Sequence, residues 1–350
     1  MSTNLTTAIP TLFVALSAPF LSGSGAVFEM MPVHPTGERI IAEDVLSPLD
    51  DAAKDFSTIL QKKLDALAAR GGGTLFLSSG VYTLSRPVLL PIGTVIRGDY
   101  APDDFSHSTV LRIIGGRGDA EGPAAFSMSA GTGLVGLYFW YPDQSIANPV
   151  AYPWTVRSRL HPNGINNHTV SDCTFVNAWQ AIRFGPEPNE LHLVRRVRMT
   201  ALKTGVFVDS TTDVGRLTEV DVSPCHWFGS DAPGAPDETS LRKFLRANGM
   251  IGFDFGRSDW EYVYRLRVDG AATGLRFARG ANGAASGVLA GVEAIDCALG
   301  LSVADLCVGG LALYGCCFRN DENLELLQIV ENRGQATSVF YNRSGSWCSG

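Results

Sequence analysis

The chain carries no block of basic residues, and its first lysine or arginine is Arg39. Lys and Arg number 28 against 35 Asp and Glu, a net charge of −7. Phosphate backbones are held by clustered lysine and arginine, so no nucleic-acid partner is expected. No stretch approaches the ~20 apolar residues of a membrane span, and no membrane partner is expected either. There is no CxxC pair and no Cys/His group at zinc spacing, so neither a metal nor another cofactor is expected. Serine-nucleophile elbow, P-loop and HExxH are missing too. The glycine-rich "GGRGDAEG" (115–122) opens no apparent helix and does not suggest a phosphate cradle.

Positive charge is missing from the N-terminus as well. The stretch "AIPTLFVALSAPFLSGSGA" before Val27 is signal-like in its apolar run and small residues, but lacks a basic start. It is read as an N-terminal arm or possible signal segment over 1–49, which suggests a secreted or extracytoplasmic location. Seven cysteines is an odd number, so at least one stays unpaired.

What the chain does have is a 45% hydrophobic composition and 38 glycines. Such a length and composition suit one large core, closed or solenoidal. Residues 50–70 put Ala53, Phe56, Ile59, Leu60, Leu64, Leu67 and Ala68 on one helical stripe. Asp50 or Asp51 can cap it, and the triple glycine 71–73 stops it. Beyond that helix the period of the pattern falls to two, and short strands punctuated by Gly and Pro follow.

These strands repeat. With Val197 as position zero, apolar residues fall at −3 (Val194), +2 (Met199), +9 (Val206) and +11 (Val208). The same template fits from Cys173, Leu266 and Val292, and from Val220 once an insertion is allowed before Gly252, Phe253 and Phe255. Leu137 and Leu311 extend the series. A period of about two dozen residues built from strands indicates a stacked solenoid. The expected fold is all-β: a right-handed parallel β-helix over 50–350, capped by the N-terminal helix at 50–70. Insertions are expected over 140–168 and 223–250, with a short helix in the second at 237–247.

Several segments then carry a family resemblance. "ARGGGTLFLSSGVYTLSRPVLLPIGTVIRGD" (69–99), "YFWYPDQ", "YPWTV" and "LKTGVFVDSTTDVGRL" resemble the pectate-lyase-like superfamily, in its family-28-related glycoside hydrolase branch. The resemblance implies a right-handed parallel β-helix acting on polysaccharide. The Asn-Thr-Asp, Asp-Asp, Gly-His-Gly and Arg-Ile-Lys signatures of the family 28 polygalacturonases do not occur in register. No catalytic residue is therefore carried over from them.

Candidate residues come instead from the template. Side chains alternate in and out along a strand, so position +10 faces outward. It reads Arg183, Phe207, Asp254, Arg276 and Ser302 in successive coils. Acids gather at the following corner, among them Asp209, Asp213 and Asp259. Glycoside hydrolysis needs two carboxyl groups ~5–10 Å apart, a separation that adjacent coils supply. Asp254, Asp209, Asp213 and Asp259 are the candidate catalytic acids, with capping of local turns as the competing role for Asp209 and Asp213. Trp140, Tyr141, Trp154, Trp260, Phe207 and His226 are candidates for sugar contact, and Arg183 and Arg276 for orienting an anionic or hydroxyl-rich substrate. Outward position +1 alternates in sign through Arg198, Asp221, Arg267 and Glu293, as a ladder of surface ion pairs would. Cys297 and Cys316 both align at +5 and are expected to stack, close enough for a disulfide.

The expected function is cleavage of a polysaccharide or oligosaccharide by a glycoside hydrolase. The alternatives are a uronate lyase, for which Lys203, Arg183 or Arg276 would serve, and a non-catalytic glycan-binding scaffold. Glycan, linkage and oligomeric state are left open by the sequence.

Overall fold

A computed structural model describes residues 42–48, 54–159 and 166–319 and two further strands, Leu327–Ile329 and Val339–Tyr341. All belong to one unit, Ile40–Gly350. The possible signal segment and the capping role of Asp50 or Asp51 lie outside the described residues.

Strand pairs with strand in parallel throughout, each joining the equivalent segment of the next coil. The chain is a right-handed parallel β-helix, as expected for parallel strands joined by crossovers. The predicted interior columns are seen in register. One runs Val170, Val194, Leu217, Val263, Leu289. Another runs Phe184, Val208, Phe255, Phe277, Val303. Its residues are fully buried, and the Phe255 and Phe277 rings stack with centroids 4.6 Å apart. No single coil could bury these faces, so stacking is what creates the core.

A bend recurs just before position zero. Gly136, Asp172, Arg196, Glu219, Arg265, Gly291 and Gly315 all have left-handed φ, between 50° and 67°. A side chain in that region costs about 1 kcal/mol or more. Ion pairs between neighbouring coils offset part of it: Arg196 grips Asp172, and Arg265 reaches Glu219 at 3.2 Å. Glycine marks only three of these seven bends, so the sequence pattern does not disclose the others.

The helix α1 (Ser57–Ala68) buries Leu60, Leu64 and Leu67 against the first coil, beside strands Gly73–Leu77 and Val88–Leu90. Its start is held by Asp55, which accepts from the Ser57 amide at 3.0 Å and the Ser57 hydroxyl at 2.6 Å.

Three expectations need correction. The segment 140–168 is not one long excursion. Trp154–Ser158 is a regular strand, paired with Phe126–Met128 on one side and Gln180–Arg183 on the other. The last coil is also registered differently. Leu313 pairs with Leu289, and Cys317 with Glu293, so Cys316 rather than Leu311 occupies position zero. Cys297 and Cys316 therefore do not stack, and both are free thiols directed at backbone carbonyls. The second insertion holds a one-turn helix α2 (Cys225–Phe228) and a longer helix α3 (Glu238–Ala247), close to the predicted 237–247. Asp237 caps α3 by accepting from the Ser240 amide at 2.9 Å.

Candidate functional site

The outward ladder is present in the expected order. Arg157, Arg183, Phe207, Asp254, Arg276 and Ser302 are successive parallel partners. Trp154 stands at the head of the Arg157 strand and reaches across to Phe207, ring centroid 6.1 Å from ring centroid. The Arg183 guanidinium forms a triangle with them, 5.8 Å from the Trp154 ring and 5.5 Å from the Phe207 ring. Such cation–π contacts contribute about 0.5–2 kcal/mol each. Burial and the neighbouring Arg157 lower the Arg183 pKa. Arg183 Nε also donates to the Gly185 carbonyl at 2.8 Å, which fixes its direction.

Further along, Arg276 holds Asp254 in a two-point ion pair at 2.8 and 2.6 Å. Asp254 is nearly buried and Arg276 exposed. The bond to Asp254 raises the Arg276 pKa despite opposing desolvation. At the Arg183 end, Glu187 pairs with Arg157. Glu187 and the exposed Glu121 both act electrostatically on Arg183. Glu187 was read from sequence as one of the corner acids, whereas Arg157 and Glu121 were not picked out. Arg157 was hidden because its strand was read as loop.

The acidic corner is not a cluster of free acids. Asp209 is 2% exposed. Its carboxylate accepts from the amides of Ser210 (2.7 Å), Arg257 (2.8 Å) and Ala281 (3.2 Å). Those donors come from three successive coils, so Asp209 is a backbone anchor. Asp213 is exposed and caps its own turn through the Val214 amide at 2.7 Å. Asp259 forms a two-point pair with Arg257 at 3.0 and 2.5 Å, which raises the Arg257 pKa.

The loop aromatics divide. Tyr141 is buried, its hydroxyl 2.7 Å from that of Thr155, and burial pushes its phenol pKa up. Trp140 packs edge-on against Phe105 at 5.5 Å and is 9% exposed. Neither presents a ring face to solvent, because the coil continues where a loop was expected. Trp154 alone of the three joins the ladder, although at 7% exposure it too is covered and offers no open ring face. His226 lies in α2, 3.2 Å from Asp221, and is not part of the ladder. Trp260 is exposed, with an unusual φ of 90°. It heads an outward row, Trp260, Tyr262 and Tyr264, whose alternation with buried Glu261 and Val263 was legible but was not used. Lys203 donates to the Asn248 carbonyl at 2.7 Å and ties down the end of α3.

No family model and no curated protein matches this chain. Among solved structures, a tailspike protein of the E. coli bacteriophage HK620 in complex with a pentasaccharide is similar at 13% identity, over 86% of this chain and 49% of its own, with a TM-score of 0.48. An Acinetobacter phage tailspike protein is similar at 12% identity, over 81% of this chain and 53% of its own, with a TM-score of 0.46. The chain spans about half the length of these structures.

Proposed function

We propose that this chain is a carbohydrate-active protein that takes a polysaccharide or oligosaccharide along the outward ladder and cleaves it by glycoside hydrolysis. The observation that carries the reading is the Arg183 guanidinium packed beside the Trp154 and Phe207 rings, with Phe207 one rung from the Asp254–Arg276 pair. The partly exposed Phe207 ring, backed by the buried Trp154, takes the apolar side of a sugar, while the arginines take its carboxylate or hydroxyl oxygens.

Asp254 is the candidate nucleophile or stabiliser. A carboxylate held by arginine suits charge stabilisation of an oxocarbenium-like centre. The proton donor has to be a second acid, and the exposed Glu121, in the field of Arg183, replaces Asp209 in that role, since Glu187 is paired with Arg157. Asp213 and Asp259 remain weaker candidates, one exposed in its turn and the other spent on Arg257.

A uronate lyase is the second reading, favoured by one observation. Arg157 and Arg183 lie side by side, two cations that suit a uronate carboxylate. Incubation with a panel of neutral and uronate-bearing polysaccharides separates the readings. Hydrolysis releases reducing ends without the absorbance of an unsaturated uronate, and Asp254→Asn abolishes it. Unsaturated products lost in Arg183→Lys would establish the lyase. Binding without product would leave a glycan-binding scaffold and defeat both enzymatic readings.

A further inference from the structure

Outside the ladder, the end of strand Gly215–Val222 and the start of α2 bring together a carboxylate, a thiol and an imidazole. Asp221, Cys225 and His226 place one ligand atom each within 4.8 Å of one another. His226 Nε2 lies 3.2 Å from Asp221 Oδ2, and Cys225 Sγ lies 3.8 and 3.9 Å from the two ring nitrogens of His226. Zinc bonds run at about 2.0–2.3 Å, which sets the edges of a tetrahedral site at roughly 3.3–3.8 Å. Through His226 Nε2, two of the three edges thus lie within about 0.1 Å of the range that a shared cation imposes. The second oxygen, Asp221 Oδ1, is buried and has no hydrogen-bond partner among the described residues.

We propose that Asp221, Cys225 and His226 form a three-ligand site for a borderline divalent cation of the zinc class, with a fourth position open. Sulfur, nitrogen and oxygen donors together favour zinc or cobalt over magnesium or calcium, which prefer oxygen alone. The donors rest on rigid supports. Asp221 belongs to a strand paired on both sides, with Arg198 and Arg267. Cys225 and His226 are adjacent in α2, which the buried Trp227 anchors. The Cys225 amide donates to Ser223 Oγ at 3.3 Å.

Positive charge around the site is already spoken for. Arg198 pairs with Asp103 at 2.5 Å. Arg267 stands 3.6 Å from Asp221 Oδ2 but also serves Asp269 at 3.4 Å. A carboxylate and a thiolate bring two negative charges, which balance a divalent cation. Sequence spacing hid the group, because the aspartate enters from a strand and the other two ligands are consecutive.

Titration of the intact protein with Co²⁺, followed by absorption, tests the site. One equivalent is expected to give a thiolate-to-cobalt charge-transfer band, displaced by Zn²⁺. Cys225→Ser is expected to abolish the band, and Asp221→Asn to weaken binding at least tenfold. Zn²⁺ is expected to raise the melting temperature of the parent chain but not of Cys225→Ser. Cys316→Ser, with its thiol elsewhere in the fold, is the control and should retain the band. Absence of the band in the parent chain, or its persistence in Cys225→Ser, overturns the proposal. If Cys225→Ser fails to fold, Asp221→Asn and His226→Ala decide: unchanged affinity in both overturns it.

Discussion

The carboxylate of Asp209 occupies the space a side chain on Gly256 would need: a β-carbon there would lie 2.5 Å from Asp209 Oδ1. Gly280, one coil on, is blocked by the same carboxylate. Two rungs of backbone therefore close around one buried acid, which returns the favour by accepting their amide protons. Asp209→Ala is expected to destabilise the fold by about 3 kcal/mol, because buried amides lose a charged acceptor. Gly280→Ala should also lower the melting temperature, with Asp209 intact. Thermal unfolding checks both. Wild-type stability in Asp209→Asn combined with lost turnover on a glycan would instead restore Asp209 as a reacting acid.

The interior column makes a sharper demand on volume. Phe255 is stacked on Phe277 and sealed from water. Phe255→Ala is expected to cost about 3–5 kcal/mol, while Phe255→Leu should cost much less. Denaturant midpoints of the two variants make the comparison.

His168 predicts a pH dependence. It is buried, its ring parallel to that of Phe184 with centroids 6.0 Å apart, and on the far side of Phe184 lies His192. Burial, reinforced by His192, lowers the His168 pKa from 6.5 to about 4. Between those values the unfolded chain takes up a proton that the fold excludes. Stability is therefore full above pH 6.5, falls as pH drops towards 4, and levels off below. The loss is on the order of 3 kcal/mol. His168→Phe keeps the stack without the titrating ring and should flatten this part of the profile, measured as ΔG of unfolding from pH 7 to 4.

The ladder gives a binding prediction. Arg183→Ala removes the cation packed beside Trp154 and Phe207. Affinity for an anionic oligosaccharide is expected to fall about tenfold, or roughly 1.4 kcal/mol, and to become less sensitive to salt. Trp154→Ala should weaken neutral and anionic oligosaccharides alike. Calorimetric titration at two salt concentrations distinguishes the two effects.

The register was legible because apolar letters mark inward positions in nearly every coil. Val194, Val197, Met199, Val206 and Val208 have counterparts whichever neighbour is chosen. Outward residues carry no such constraint. That is why the order Arg183, Phe207, Asp254, Arg276 could be written down, yet not what each one touches. The fate of Asp209 depends on amides at 257 and 281, whose approach follows from two corners that the template does not describe. Trp140 and Tyr141 were misjudged for a related reason. The strand Trp154–Ser158 departs from the usual spacing after position +2, so a continuing coil looked like a loop, and residues beneath its cover looked exposed. The left-handed bends were invisible wherever Asp, Arg or Glu stood in place of glycine.

Between Val222 and Ile251 the chain departs from the spiral and returns to the same rung, where Asp269 and Thr273 need only residues 270–272 for the equivalent corner. The departure is lashed down: Arg242 bridges Asp269 at 2.6 Å and Asp296 at 3.3 Å, and Arg246 also holds Asp296. A port of this kind decouples the length of an inserted segment from the alignment of everything beneath it. Grafting, trimming or circular permutation at 230–236 would alter what the protein displays while the spiral that carries it keeps its pitch.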